Sequence, residues 1–171
     1  MDVIEAIKSR QDTKRFKRDM IPEDKLKTIL NATRLASSAK NLQPWKFIVI
    51  RDEDLKRKLV GACNNQKIVI EAPMVIIACG IVSEAYPYLG SYMSSYPVDV
   101  AMALTHLTLA ASSEGLGTNL IFDFHEDKVK ELFNIPQDVK VIAVIPIGYP
   151  ESMESCGRKH ISEIVCYDKY E

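Results

Sequence analysis

SSAKNLQPWKF, residues 37–47, joins small hydroxyl residues, side-chain amides, a proline and the single tryptophan of the chain, then runs straight into Phe47-Ile48-Val49-Ile50. Small residues let a ligand approach the backbone, and amides offer donors and acceptors together. The stretch reads as a polar binding loop feeding a buried strand over residues 46–51. Two other polar, basic clusters lie near the chain ends, SRQDTKRF at residues 9–16 and CGRKHISEIV at residues 156–165. Together the three suggest one composite site.

Working outward, Val3, Ile4 and Ile7 fall at helical spacing in residues 2–10, with Asp2 as N-cap. A second helix starts at Pro22, carries Leu26, Ile29, Leu30 and Leu35 as its apolar stripe, and ends near Ala36. Asp52 caps a third helix that runs to about Cys63, with Leu55 and Leu59 facing inward. Ala72-Pro73 breaks the chain before the unbroken apolar run of residues 74–79, which suits a strand covered on both faces. Residues 81–96 form an irregular, tyrosine-rich stretch, the kind of long loop that acts as a lid or binding loop.

Residues 97–114 give the strongest helix, apolar or small almost all the way round. Such a helix is buried on all faces, and in a chain of this size a second subunit has to supply part of the cover. Gly115 and Gly117 end it. A short strand at 119–124, a helix at 126–133 and a strand at 140–147 follow, and the tail from Gly148 is free to wrap over a neighbour. The alternation of helices and strands predicts α/β layering with a largely covered sheet. No linker or internal repeat divides the chain, so residues 1–171 read as one domain.

A length of 171 residues is enough for a real core. Apolar content of 47% and charged content of 26% are those of an ordinary globular protein. A net charge of −1 argues against nucleic-acid binding. No segment reaches the roughly 18–20 apolar residues of a membrane span. The N-terminus has no apolar signal core, so the protein is read as cytoplasmic. Cys63, Cys79, Cys156 and Cys166 form no CxxC pair, which argues against zinc or iron–sulfur ligation. Cys63 and Cys79 belong to apolar runs and read as core, and Cys156 as a surface thiol in a basic setting. No metal site is expected.

Arg10 and Lys14 stand four residues apart, so both can aim at one ligand if the first helix persists. Arg158-Lys159, after Cys156-Gly157, can be carried by the tail to the same place. Arginine offers a planar fork for phosphate and lysine a point charge. Gly115-Leu116-Gly117 follows a helix rather than a strand, the wrong context for a dinucleotide fingerprint. His106, within the apolar helix, reads as a satisfied core histidine, and His125 as a helix start. No nucleophile–base motif is present.

These pieces, in this order, resemble the nitroreductase family over essentially the whole chain. The basic motif after the first helix stands as Arg10-Gln11-Asp12-Thr13-Lys14-Arg15-Phe16. The Ser-Ala-x-Asn-x-Gln-Pro-Trp loop spans residues 38–45. Asn65-Gln66 precedes Ala72-Pro73, and Gly115-Leu116-Gly117, Gly148-Tyr149-Pro150 and Arg158-Lys159 before Glu163-Ile164-Val165 complete the series.

The resemblance implies an α+β fold, a mainly antiparallel or mixed sheet flanked by helices, and a homodimer built on the apolar helix with FMN at its interface. Arg10, Lys14, Arg158 and Lys159 would meet the phosphate and the pyrimidine edge, with Gln11 and Asp12 beside them. Ser37, Ser38, Ala39 and Asn41 would reach in from the other subunit. Asn65 would hydrogen-bond the flavin or its ribityl chain, and Phe122 and Asp123 would lie near the reactive nitrogen. Tyr88, Tyr92 and Tyr96 would shape the acceptor pocket or cover the dimer. The implied activity is ping-pong electron transfer from NAD(P)H through FMN to a nitroaromatic, quinone or similar small acceptor, with no side chain acting as nucleophile or base. Flavin fragmentation, reductive dehalogenation and a non-enzymatic flavin-binding redox sensor are the alternatives on the same fold. Asp12 departs from the family's usual serine, Phe122-Asp123 from a turn that commonly holds glycine, and Ser37 from a frequent proline.

Overall fold

The computed structural model describes residues 2–170. Helix α1 (Val3–Ser9) begins at Asp2, whose carboxylate accepts the Glu5 N–H at 2.8 Å while the Glu5 carboxylate accepts the Asp2 N–H at 3.0 Å. This reciprocal pair satisfies donors that a helix start leaves open. The helix ends at Ser9, near the expected residue 10, so the condition for Arg10 and Lys14 to share a helical face is not met. Residues Asp12–Phe16 form strand β1, with Thr13 and Phe16 buried. An extended chain puts Arg10 and Lys14 up to about 13 Å apart, where a helix would hold them at about 6 Å.

Helix α2 (Glu23–Arg34) has Pro22 at its N-cap and buries Leu26 and Ile29, while Leu35 just past its end stays exposed. Strand β2 (Trp45–Ile50) follows. Helix α3 (Glu53–Ala62) is capped by Asp52, which accepts the Leu55 N–H at 2.8 Å. A one-turn helix α4 (Ile68–Glu71), not evident in the sequence, leads into β3 (Met74–Ile81). Buried Lys56 ties this region together, with its ammonium 2.7 Å from the Ala72 carbonyl and 2.6 Å from Glu53. Next come α5 (Tyr96–Ser113), β4 (Gly117–Thr118), α6 (Glu126–Phe133), β5 (Val139–Gly148) and β6 (Pro150–Glu154).

The strand order is β2-β3-β5-β4-β1-β6, and β1–β4 is the one parallel pairing among them. This is the mixed, mainly antiparallel sheet of an α+β fold, and the α/β layering drawn from alternation alone is corrected. The link between β2 and β3 holds two helices, α3 and α4, and returns the chain to the sheet end it left. The strand expected at 119–124 is instead Gly117–Thr118, with Ile121 bridging Val144 alone.

The sheet is covered on both faces. Along β3, Met74, Ile76 and Ala78 face α2 and α5, while Val75, Ile77 and Cys79 face the layer of α3, α4 and α6. Period-two alternation with both sets apolar is what a doubly covered strand requires. Gly117 and Gly148 pair where β4 meets β5. A Cβ on Gly117 would lie 1.9 Å from Thr13 Oγ1, and one on Gly148 would lie 2.5 Å from Pro73 Cδ, so both positions need the bare backbone.

Helix α5 buries Val100, Leu104, Leu107 and Ala111 against the sheet and α2, but leaves Val98, Ala101, Met102, Thr105 and His106 exposed within the single chain. His106 is therefore not a core histidine, although its Nδ1 lies 3.2 Å from the Ala32 carbonyl oxygen. Residues 151–170 are all exposed. No helix among the described residues is long and apolar enough to cross a membrane.

Glu126 joins α6 to the sheet. It accepts the Val141 N–H at 3.0 Å and lies 3.4 Å from Lys130 and 3.6 Å from Lys140. Partial burial opposes its charge, but the Val141 N–H and the two lysines outweigh this and hold the carboxyl below its usual range. A lowered native value stabilises the fold above the unfolded-state value and is lost as the pH falls through the native one. Glu126→Gln is therefore expected to cost about 1 kcal/mol at pH 7 and close to nothing well below the ordinary glutamate value of about 4.3. Urea unfolding of both proteins at pH 7 and pH 3 checks this.

Candidate functional site

Two adjoining clefts open where α1 runs into β1. The smaller, of about 410 Å³, is lined by Ile7, Lys8, Arg10, Gln11, Asp12, Glu154, Ser155, Cys156 and Arg158. The larger, of about 670 Å³, is walled by Ala101, Leu104, Thr105, Thr108 and Leu109 of α5, with Leu120, Phe122 and Ile142 opposite. Ile7, Arg10 and Asp12 line both, so the two form one trough with a charged end and a mainly apolar end. Both volumes fall in the range of about 300–1,000 Å³ typical of small-molecule sites.

Strand pairing brings the chain ends together here. β6 lies antiparallel to β1 with Asp12 opposite Glu154, and the tail beyond it carries Arg158 into the smaller cleft. The Arg158 guanidinium donates to the Cys156 and Gly157 carbonyls, both at 3.0 Å. Arg10 and Asp12 pair at 3.6 Å. Lys14 binds Glu154 at 2.9 Å, and this hydrogen bond, followed by the carboxylate's charge, raises the lysine's pKa above its usual value. Arg15 pairs with Glu151 at 3.1 Å. Lys159, Lys14 and the tyrosines line neither cleft in the single chain.

The loop at residues 37–43 lies at the start of α5. Ser38 Oγ accepts the Gln43 N–H at 2.9 Å, and the Gln43 amide donates to the Asn41 carbonyl at 3.2 Å. The Ala39 N–H donates to buried Asp99 at 2.8 Å, and Ser37 Oγ lies 4.0 Å from Met102 Sδ. Ser37, Ser38, Ala39 and Asn41 reach neither cleft of their own chain.

Asn65 sits in a second loop, beside Asn64 and Gln66. The Asn64 amide donates to Asp123 Oδ1 at 2.7 Å and the Gln66 amide to the Asp123 carbonyl at 3.1 Å, so this loop holds the segment that presents Phe122, 63% exposed, to the trough. Asn64 was not singled out from the sequence, and Gln66 stood there only as part of the Asn65-Gln66 motif; the Asn-Asn-Gln run was the available signal.

Five non-glycine residues with positive φ lie in these two loops: Lys40 at 51°, Asn41 at 58°, Gln43 at 52°, Asn64 at 49° and Asn65 at 59°. Left-handed backbone is costly for side-chain-bearing residues and persists where surrounding bonds impose it, commonly at functional sites. Tyr88 and Tyr92 are exposed, with Tyr88 edge-on to Tyr86, while the Tyr96 ring packs on the Gly80 backbone. Burial pushes the Cys63 thiol up to about 12 and the Cys79 thiol to about 11, which suits the inert core role expected of them.

The fold and its constrained loops define an α+β protein with a trough at the junction of its first helix, its core helix and its terminal strands. The chain belongs to the nitroreductase family, whose model matches residues 7–86 and 62–149. A relative from Methanothermobacter thermautotrophicus, carrying the provisional name NADH dehydrogenase/NAD(P)H nitroreductase, is 34% identical over 154 residues, covering 88% of this chain and 78% of its own. The crystal structure of a nitroreductase family protein from Clostridium novyi superimposes with a TM-score of 0.83 at 36% identity, covering 88% of each chain. Oxidized iodotyrosine deiodinase bound to FMN and 3-iodo-L-tyrosine shares the fold, with a TM-score of 0.87 at 24% identity over 99% of this chain and 100% of that one.

Asn65 has a clear conformational consequence. Asn65→Gly is expected to leave the melting temperature within about 2 °C, whereas Asn65→Val, with a β-branched side chain at positive φ, lowers it by about 3–8 °C. Thermal unfolding followed by circular dichroism distinguishes the two.

Proposed function

We propose that this chain is an FMN-dependent oxidoreductase that draws on NAD(P)H and reduces a small acceptor such as a nitroaromatic or quinone. The observation that carries the reading is the two-ended trough. Its charged end presents Lys8, Arg10 and Arg158, which suit a phosphate, and its other end is an apolar wall of α5 residues, which suits a planar ring. The residues present therefore fit FMN. The family membership and the FMN held by a protein of the same fold support it.

Bound FMN would supply hydride acceptance from reduced nicotinamide and electron delivery to the acceptor. Arg10 would donate its guanidinium fork to the phosphate, with Arg158 and Lys159 brought close by the tail. Lys14, kept protonated by Glu154, would offer positive charge to the ring's pyrimidine edge. Gln11 and Asn65 would supply amides for polar atoms of the cofactor. Phe122, set in place through Asp123, would close one side of the ring and help exclude water.

The reading includes a homodimer, which the unpartnered surface supports. Val3, Ile4 and Ile7 of α1, Val98 and Met102 of α5, and Ile161, Ile164, Val165 and Tyr167 of the tail are all exposed in one chain. Exposed apolar side chains grouped on these elements support an interaction surface there. A second copy would cover α5 and bring residues 37–41 to the trough, with Tyr88, Tyr92 and Tyr96 available to bound the acceptor.

Asp12, held 3.6 Å from Arg10, would put a carboxylate near the negative charge that develops on reduction. The purified protein is expected to be yellow and to release FMN on heating; a colourless protein that takes up no FMN overturns the reading. Arg10→Ala should weaken FMN binding about tenfold or more, as loss of a charge-assisted hydrogen bond does, measured by fluorescence titration. Asp12→Ser should raise the midpoint potential by about 10–20 mV, since an exposed carboxylate is worth under ~1 kcal/mol and 30 mV of a two-electron couple is ~1.4 kcal/mol. Spectroelectrochemistry reads the sign, and an unchanged or lowered potential removes the role assigned to Asp12.

A further inference from the structure

Asp99 lies in the first turn of α5, flanked by Val98 and Val100, and is 1% exposed. A buried carboxylate is costly unless its oxygens are bonded. Here both are, and both partners are neutral: the Ala39 N–H donates to Oδ1 at 2.8 Å and the Ser95 hydroxyl to Oδ2 at 2.6 Å. Ser95 Oγ in turn accepts the Tyr86 N–H at 3.0 Å. One carboxylate thus anchors the 37–43 loop directly and the tyrosine-bearing loop through a serine relay. The loops also meet at the surface, where the Lys40 ammonium stands 4.4 Å from the centre of the Tyr86 ring.

The remaining polar bonds of the 37–43 loop run mostly between its own residues, from Gln43 to Ser38 and Asn41. They shape the turn without tying it to the body of the protein. Lys40, Asn41 and Gln43 all hold left-handed backbone, which the loop would relax if it were released. An acid placed only to complement the helix dipole would gain by staying in water. Asp99 is instead out of water, with its oxygens turned toward two loops.

We propose that Asp99 is a positioning residue that sets the shape of the 37–43 loop, and with it the affinity of the cofactor site this loop completes; the cofactor half of the statement rests on the FMN reading above. Asp99→Ala removes both anchors. Asp99→Asn keeps the size and serves one donor well but turns an amide toward the other, so it falls between wild type and alanine.

The test compares the full-length wild type, Asp99→Ala and Asp99→Asn proteins by hydrogen–deuterium exchange without FMN and by FMN titration. In Asp99→Ala, amides of residues 37–43 should exchange at least about tenfold faster and FMN should bind about tenfold more weakly, the scale of a lost bond to a charged group. Exchange in residues 74–79 should be unchanged, which a general loss of stability would not allow. Asp99→Asn should show smaller shifts of the same sign, and decides the matter if Asp99→Ala does not fold. Unchanged exchange at 37–43 in the folded variants overturns the proposal. Faster exchange with unaltered FMN affinity overturns its cofactor half. If wild type itself takes up no FMN, the flavin reading fails, and the exchange arm still decides whether Asp99 holds the loop.

Discussion

Helix α5 presents almost no polar face, and a helix of that kind is stable only where every side is covered. The sheet covers one side through Val100, Leu104, Leu107 and Ala111, and α2 packs along another. One face remains, where Val98, Ala101, Met102 and Thr105 stand open. Most of what is distinctive about the molecule lies around that face. The larger cleft uses Ala101 and Thr105 as its wall, the 37–43 loop packs at its start, and α1 runs alongside with its own apolar residues turned outward. A single unmet requirement for burial thus accounts for the position of the cavity and for the surface proposed to meet a second copy.

The two site loops keep their unusual backbone by different means. Residues 40, 41 and 43 depend on a buried carboxylate in α5. Residues 64 and 65 follow the end of α3, where the Asn65 N–H returns to the Val60 carbonyl at 3.0 Å and the flanking amides grip Asp123. In both cases a turn made without glycine gains a rigidity that glycine would give away. A polar surface held in one conformation before its ligand arrives loses less entropy on binding.

Much of this was legible from residue order. The capped starts at Asp2 and Asp52, the unbroken run before Cys79 and the Gly-Leu-Gly end of α5 follow local rules that tertiary structure left alone. Strand β1 was not legible, because DTKRF has only Thr13 and Phe16 as inward residues and its charges read as a turn. Strand β6 was hidden for a related reason: PESME forms an exposed edge through backbone pairing with β1, and backbone hydrogen bonds leave no signature in side-chain composition. The candidate site residues stood out as a motif, but not the atoms that hold them. Asp99 stood as the lone acid in an apolar helix, a signal that only burial could interpret, and the left-handed turns at Lys40, Asn41 and Gln43 carry no glycine to announce them.

The order β4-β1-β6 places the first strand of the chain between two of the last. During synthesis, residues 12–16 leave the ribosome with no partner until residues 117–118 and 150–154 have followed them. Contacts that join distant parts of a sequence are slow to form. The antiparallel pair β2–β3 can assemble while translation continues, and the N-terminal segment must wait as an unpaired, highly charged strand. Lys14 and Arg15 keep that waiting segment soluble, so the side chains that pair with Glu154 and Glu151 of β6 in the finished molecule also guard the nascent chain against pairing too early with its neighbours.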